Sequence, residues 1–150
     1  MRPLPGTLLF ACSYNRVRSP MAKALMTRLY GGRLFIESCG LRRADAAEHD
    51  PFMLQVMDEI GLDLSGHRPK VFADLEDGSF DLVVSLTPEA QHAAVELARN
   101  ASTELLYWQT RDPTLVEGRR DQVLEAYRRT RDELEAQIRA CFGPPSTFGG

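Results

Sequence analysis

The sequence predicts a single three-layer α/β domain in which a four-stranded parallel sheet carries helices on both faces. Short apolar segments alternate with longer segments in which apolar residues recur every three or four positions, and this alternation is typical of parallel strands joined by crossover helices. A length of 150 residues suits one compact domain with its own core. Hydrophobic residues make up 43% of the chain and charged residues 26%, which argues against disorder and against a membrane span.

The first half of the chain contains two predicted strands, each followed by a predicted helix. Residues 7–11 form an apolar run that suits a buried strand, and residues 34–38 suit a second one. Apolar residues recur at helical spacing over residues 20–30, where Ser19 would supply the N-cap and a proline occupies the first helical position. The same spacing predicts a further helix from about residue 51 to residue 60.

The second half repeats this alternation. Residues 80–86 are the clearest strand, and the helix predicted at 88–98 begins with a threonine, a proline and a glutamate. Residues 104–108 predict the fourth strand. A long final helix is expected from about 118 to 142, and its inner stripe consists of Val123, Tyr127, Thr130, Leu134, Ile138 and Cys141. Glycine and two prolines then break the helix, so residues 143–150 are predicted to form a disordered tail.

Composition excludes several classes of function. Three cysteines form no even disulfide set, and the three histidines lie far from them in sequence, so we expect a reduced, cytoplasmic chain with no metal and no cofactor. The net charge of −3 arises from 18 basic and 21 acidic residues mixed along the chain, which predicts neither nucleic-acid nor membrane partners. The first ten residues lack the pattern of a signal peptide.

The segment after the first strand carries the clearest chemistry. Cys12 ends the strand, an arginine follows six residues later, and a serine comes next at the start of the helix. The backbone N–H groups of such a loop and a helix N-terminus bind an oxyanion, and arginine adds a bidentate fork. The same positive field favours the cysteine thiolate, which is the nucleophilic form. The predicted phosphate-binding residues are Ser13, Tyr14, Asn15, Arg16, Val17, Arg18 and Ser19.

Context makes this spacing informative. Neither Cys39 nor Cys141 has an arginine six residues on, and only Cys12 falls between a predicted strand and a predicted helix. A general acid for the leaving oxygen should come from another loop at the same edge of the sheet. Asp112 is the candidate, because it follows the fourth strand and the next residue, a proline, holds it in extended conformation. Glu117, on the same loop, is the second candidate.

At this point the sequence resembles the low-molecular-weight protein tyrosine phosphatases and their arsenate reductase relatives. The resemblance extends from Leu8 to about Phe142. The family's cysteine loop is matched at Cys12, Asn15, Arg18, Ser19 and Pro20, and three further family motifs follow in order at 38–40, 61–67 and 112–113. The resemblance implies a sheet of strand order 2-1-3-4 and a phosphocysteine mechanism that acts on phosphorylated proteins or small phosphate esters and releases inorganic phosphate.

The resemblance also implies a role for each matched residue. Cys12 would be the nucleophile, Arg18 the phosphate clamp, Ser19 the stabiliser of the thiolate leaving group, and Asp112 the general acid and then the general base. A hydrogen-bond network that supports the loop would comprise Asn15, Ser38 and His67, with Asn15 in a left-handed conformation that asparagine tolerates.

The chain also differs from the family pattern. Tyr14 stands where the family usually has glycine, and Val17 stands where it often has a second cysteine. Thr114 and Leu115 replace the aromatic pair typical of tyrosine phosphatases, so the preferred ester is left open. No cysteine follows the third strand, which excludes the relay of thioredoxin-coupled arsenate reductases there. An arsenate reductase that uses external thiols and a non-catalytic phosphate-binding module are the alternatives.

Overall fold

Four parallel strands and four α-helices make up the domain in a computed structural model that describes residues 1–44, 49–76, 78–99 and 102–145. The elements in chain order are β1 (Thr7–Cys12), α1 (Arg18–Tyr30), β2 (Phe35–Gly40), α2 (Pro51–Asp58), β3 (Leu82–Ser85), α3 (Pro88–Leu97), β4 (Glu104–Tyr107) and α4 (Arg120–Phe142). The sheet order is β2-β1-β3-β4, with every neighbouring pair parallel. The predicted fold class and strand order are therefore confirmed.

Side chains of β1 alternate between two apolar layers, because successive residues of a strand point to opposite faces. Leu8, Phe10 and Cys12 face the larger core, which packs under α1, α2 and α4. Leu9 and Ala11 face a smaller cluster on the side of α3. The nucleophile candidate therefore lies on the face covered by three helices.

Two of the four helices begin at a residue other than the predicted one. α1 begins at Arg18, and Val17, which provides no side-chain hydrogen bond, stands at the N-cap position. The predicted cap, Ser19, instead lies within the first turn, and its hydroxyl contacts Cys12. α4 begins at Arg120, two residues later than predicted, since Gly118 has a φ of +138° that no helix accommodates.

The end of the chain is described only in part. The Gly143 N–H donates to the Arg139 carbonyl, and the Gly143 carbonyl accepts a hydrogen bond from the Tyr30 hydroxyl. Residues 146–150 of the predicted tail lie outside the described residues. Within the described ranges, no helix has both the length and the apolar character to cross a membrane.

One edge of the sheet gathers the carboxyl ends of all four strands. β1 ends at Cys12, which pairs in register with Gly40 at the end of β2, and β3 ends at Ser85. Chain segments that leave this edge form the loop before α1 and the segment that leads to α4. Parallel topology thus places the two candidate segments, residues 12–19 and 111–114, on one side of the molecule.

Candidate active site

Cys12 ends β1 at the base of the loop and is only 2% exposed. Its Sγ lies 2.9 Å from the Ser19 Oγ and accepts a hydrogen bond from the Asn15 backbone N–H at 3.3 Å. Two polar groups therefore face a sulfur that is otherwise surrounded by core residues. Both can stabilise a thiolate, because each carries a hydrogen that can point at the sulfur.

Asn15 is the hub of the loop. It is fully buried and has a φ of +58°, so the expected left-handed conformation is observed. Its side-chain amide donates to the Ser19 Oγ at 2.8 Å and to the Ser38 Oγ at 2.9 Å, and its Oδ1 accepts from the Lys70 N–H at 3.0 Å. A buried side chain with three partners fixes both the loop and the orientation of the serine next to the sulfur.

His67 supports the loop from outside. Its Nε2 lies 2.7 Å from the Asn15 carbonyl oxygen, and since a carbonyl only accepts, this nitrogen carries the hydrogen. The Nε2 of His49 lies 2.6 Å from the carbonyl of His67 and donates to it by the same logic. Burial lowers the pKa of His67 below its ordinary value of 6.5, and the nearby charges of Lys23 and Lys70 act in the same direction.

Gly40 lets the loop approach β2 closely. A Cβ at this position would lie 2.7 Å from the Tyr14 carbonyl carbon and 2.9 Å from the Ser13 oxygen, which is closer than any side chain allows. The Ser13 carbonyl accepts hydrogen bonds from the N–H groups of Leu41 and Arg42. The close approach of the loop to β2 therefore requires glycine at position 40, which belongs to the second matched motif.

Arg18, the first residue of α1, reaches the segment that follows β4. Its Nη1 donates to the Thr110 carbonyl at 3.0 Å, and its Nη2 lies 3.6 Å from the Asp112 Oδ2. The Arg18 side chain is 12% exposed and that of Asp112 is 28% exposed, so the carboxylate is the more accessible partner of the pair. One contact positions the arginine, and the other brings the predicted clamp and the predicted acid together.

Asp112 is held by its own turn. Its Oδ1 accepts hydrogen bonds from the Thr114 N–H at 3.0 Å and from the Thr114 hydroxyl at 2.6 Å, as it caps the 3-10 turn Pro113–Leu115. The Oδ2 is thereby left on the side of Arg18. Thr114 is thus more than a replacement for an aromatic residue, since it orients the carboxylate.

The other predicted phosphate-binding residues occupy different surroundings. Val17 is 5% exposed and belongs to the core, so only its backbone is offered to a ligand. Ser13 and Arg16 are half-buried. Tyr14 is 44% exposed, and the Arg42 guanidinium lies 5.6 Å from its ring centroid. Tyr14 therefore forms part of the outer wall of the loop.

Three groups that contribute hydrogen bonds at or near the site are not predicted by the sequence. The Thr110 carbonyl and the Lys70 N–H act through backbone, which residue type does not reveal. Tyr127 donates its hydroxyl to the Asp50 Oδ2 at 2.7 Å, while Asp50 caps α2. Burial and this carboxylate raise the pKa of Tyr127, and Asp112 contributes to the same shift. The aspartate followed by a proline at residues 50–51 was the available signal for the cap.

The other two cysteines have different surroundings, although the Cys39 carbonyl accepts a hydrogen bond from the Ser19 hydroxyl at 3.4 Å. Cys39 is 1% exposed and belongs to the apolar cluster on the α3 side, opposite to the face that Cys12 joins. Burial raises the pKa of its thiol to about 12. Cys141, near the end of α4, lies close to Arg2 at the other end of the domain. Across the described ranges, no group of three or more histidine, cysteine or acidic residues is placed to hold a metal ion.

The parallel sheet and the cysteine loop at its carboxyl edge define a class of α/β domains that bind oxyanions between a strand and a helix N-terminus. The chain belongs to the low molecular weight phosphotyrosine protein phosphatase family, whose model matches residues 7–143. Members of this family are cysteine-dependent enzymes.

Individual relatives are named for a second reaction. An arsenate reductase of Halalkalibacterium halodurans is 30% identical over 132 residues, which span 88% of this chain and 91% of that protein. The glutaredoxin arsenate reductase of Synechocystis is 27% identical over 133 residues, which span 87% and 92%. The solved structure of a YwlE mutant from Bacillus subtilis has a TM-score of 0.73 at 22% identity and covers 90% of this chain and 95% of that one. Solved structures of similar fold include phosphatases and arsenate reductases.

Proposed function

We propose that the protein hydrolyses phosphate monoesters through a phosphocysteine intermediate on Cys12. One observation carries the proposal: Cys12, Arg18 and Asp112 lie at one edge of the sheet, with the Arg18 Nη2 3.6 Å from the Asp112 Oδ2. The Cys39 side chain faces the opposite layer, and Cys141 lies near Arg2 at the other end of the domain. A hydrolase needs a nucleophile, a clamp and an acid, and it needs no second thiol.

In the first step, the loop N–H groups and the Arg18 fork hold the phosphoryl oxygens above the Cys12 sulfur. The thiolate attacks phosphorus, so that an S–P bond forms as the P–O bond to the leaving group breaks. Asp112 gives its proton to the departing oxygen, and its greater exposure than that of Arg18 suits a leaving group that points outward. The Asn15 network keeps the loop in its anion-binding shape.

In the second step, a water molecule attacks the phosphocysteine. Asp112, now a carboxylate, removes a proton from the water, the S–P bond breaks, and inorganic phosphate leaves. The Ser19 hydroxyl, 2.9 Å from the sulfur, stabilises the thiolate that is released. A module that only binds phosphate would need neither the nucleophile nor the acid.

Arsenate reduction is the second candidate, and the names of the relatives favour it. Arsenate has the tetrahedral shape and charge of phosphate and fits the same cradle. Reduction to arsenite consumes two electrons, which two thiols supply as they become a disulfide, with release of water. Cys39 faces the opposite side of the sheet, and burial raises the pKa of its thiol to about 12. The second thiol of this reaction would therefore have to come from outside the chain.

The test is a paired assay on the purified protein. One arm measures phosphate release from an aryl phosphate, and the other measures arsenite formation from arsenate with glutathione and glutaredoxin. Hydrolysis that disappears in Cys12→Ser and persists in Cys141→Ser supports the proposal. Arsenite formation without hydrolysis of any phosphate ester assigns the chain to the second candidate.

A further inference from the structure

A cavity of about 310 Å³ opens beside the cysteine loop. Tyr14 forms its wall on the loop side, and its other walls are strongly basic. The basic residues that line it are Arg42, Arg43, His49, His67, Arg68 and Lys70. Among the described residues, no aspartate or glutamate lines this basic pocket. A concave site with charges of one sign attracts ligands of the opposite sign.

Hydrogen bonds to backbone carbonyls of the loop connect it to the basic pocket. The N–H of Arg42 donates to the Ser13 carbonyl at 3.0 Å, and the His67 Nε2 donates to the Asn15 carbonyl at 2.7 Å. Tyr14, which lies between Ser13 and Asn15 in the sequence, belongs to the loop and also lines the pocket. The pocket therefore adjoins the cysteine loop, and these hydrogen bonds hold the two sites in a fixed relative position.

Three of the cations have acidic partners that stand outside the pocket. Arg42 pairs with Glu89, Arg43 pairs with Asp74, and Lys70 lies 3.2 Å from Glu37. These pairs hold the walls in place and leave part of each cation's hydrogen-bonding capacity available.

Arg68 differs from these three cations. Its side chain is exposed at the pocket, and it forms no ion pair with a carboxylate in the described parts of the chain. Within those parts of the chain, no carboxylate competes with a ligand for its charge. An arginine fork binds carboxylate or phosphate in a bidentate manner.

We propose that the basic pocket binds a second anionic group of the phosphorylated substrate, with Arg68 as the residue that determines this preference. The proposal rests on the proposed function, which it deepens by naming the substrate class: a phosphate monoester with a further carboxylate or phosphate a short distance from the reacting one. Tyr14 separates the two anions and offers its ring to the part of the substrate that joins them.

The test compares three phosphotyrosine peptides of equal length. In one the flanking residues are alanine, in the second they are glutamate, and in the third a second phosphotyrosine replaces one flank. We expect kcat/KM to be about two- to fivefold higher for each added charge that reaches the pocket, the range of an exposed ion pair. Added salt should reduce this preference. A preference for only one of the charged peptides identifies the source of the second anion.

Arg68→Ala should reduce the ratio of kcat/KM between the charged and the alanine peptides toward one. Arg33→Ala is the matched control, since Arg33 is exposed at the opposite end of the sheet, before β2. Equal constants for all three peptides with the wild type, or an equal loss in both variants, would overturn the proposal. An absence of turnover on every ester, plain aryl phosphate included, would instead refute the proposed function.

Discussion

Two buried cysteines stand on neighbouring strands at the same edge of the sheet, and their surroundings are opposite. Cys12 faces the three-helix side and has the Ser19 hydroxyl and the Asn15 N–H at its sulfur. Cys39 faces the α3 side among apolar residues, and burial raises its pKa to about 12. Exposure does not distinguish them, at 2% and 1%. We infer that the polar neighbours of its sulfur, and not its exposure, make Cys12 the nucleophile of the proposed reaction.

Substitution of Cys12 should have the greatest effect, and it tests the contrast between the two cysteines directly. Cys12→Ser should lower kcat by about a millionfold, as loss of a nucleophile does, while it retains phosphate or vanadate binding through the loop and Arg18. Cys39→Ala should keep turnover and lose at most about 1 kcal/mol of stability, because only a small apolar group is removed. Initial rates with an aryl phosphate measure turnover, vanadate titration measures binding, and urea unfolding measures stability. Normal hydrolysis by Cys12→Ser would remove the proposed mechanism.

Asp112 lies 3.6 Å from Arg18, at the end of the loop that begins with Cys12. Asp112→Asn should lower the rate by roughly a hundredfold to ten-thousandfold, the span for loss of a positioned general acid. Alkyl phosphates should suffer more than nitrophenyl phosphate, whose leaving group needs no proton. Because water activation also fails, a rapid-quench experiment should show a burst of phenol ahead of phosphate. Wild-type rates on both esters would place the acid elsewhere, with Glu117 as the next candidate.

The two thiols should also differ in their rate of oxidation. Hydrogen peroxide attacks thiolates, so it should modify Cys12 at least about ten times faster than Cys39, whose thiol stays protonated near neutral pH. The product at Cys12 should be a sulfenic acid that added thiols reverse. Peptide mapping of the oxidised protein measures the site and the chemistry. A disulfide between Cys12 and Cys39 would contradict the assignment of the two side chains to opposite faces and would favour a redox role.

Sequence patterns were sufficient for the fold, since periodicity and strand-to-helix alternation report burial directly. They located residues 12–19 and 111–114 because parallel topology brings strand ends to one edge. The helix-cap prediction was wrong at Ser19, because its hydroxyl contacts the Cys12 sulfur instead, a contact that the family resemblance implied and local pattern did not. The Lys70 N–H and the Thr110 carbonyl were not predictable, because every residue carries these groups.

His67 entered only through the family motif, and no local pattern distinguishes it from a surface histidine. The structure gives it a physical role, since its Nε2–H holds the Asn15 carbonyl while burial opposes protonation of the ring. Lys23, Lys70 and His49 add to the downward shift in pKa, and the hydrogen bond to Asn15 opposes it. The supporting network of Cys12 therefore contains a titratable group that Cys39 lacks.

A smaller effect, on the pH dependence of stability, is expected at His67. Folding holds the pKa of His67 below 6.5, so the unfolded chain binds this proton at a higher pH than the folded chain does. The contribution of His67 to stability is therefore complete above about pH 6.5 and is lost as the pH falls through the lower, folded-state pKa. Urea unfolding at pH 7.5 and pH 5.5 should show a smaller loss of stability in His67→Gln, which has no titrating group, than in the wild type. His92→Gln, an exposed substitution on α3, is the control and should behave as the wild type. If all three proteins lose stability equally between the two pH values, His67 is not the group that couples the loop to pH.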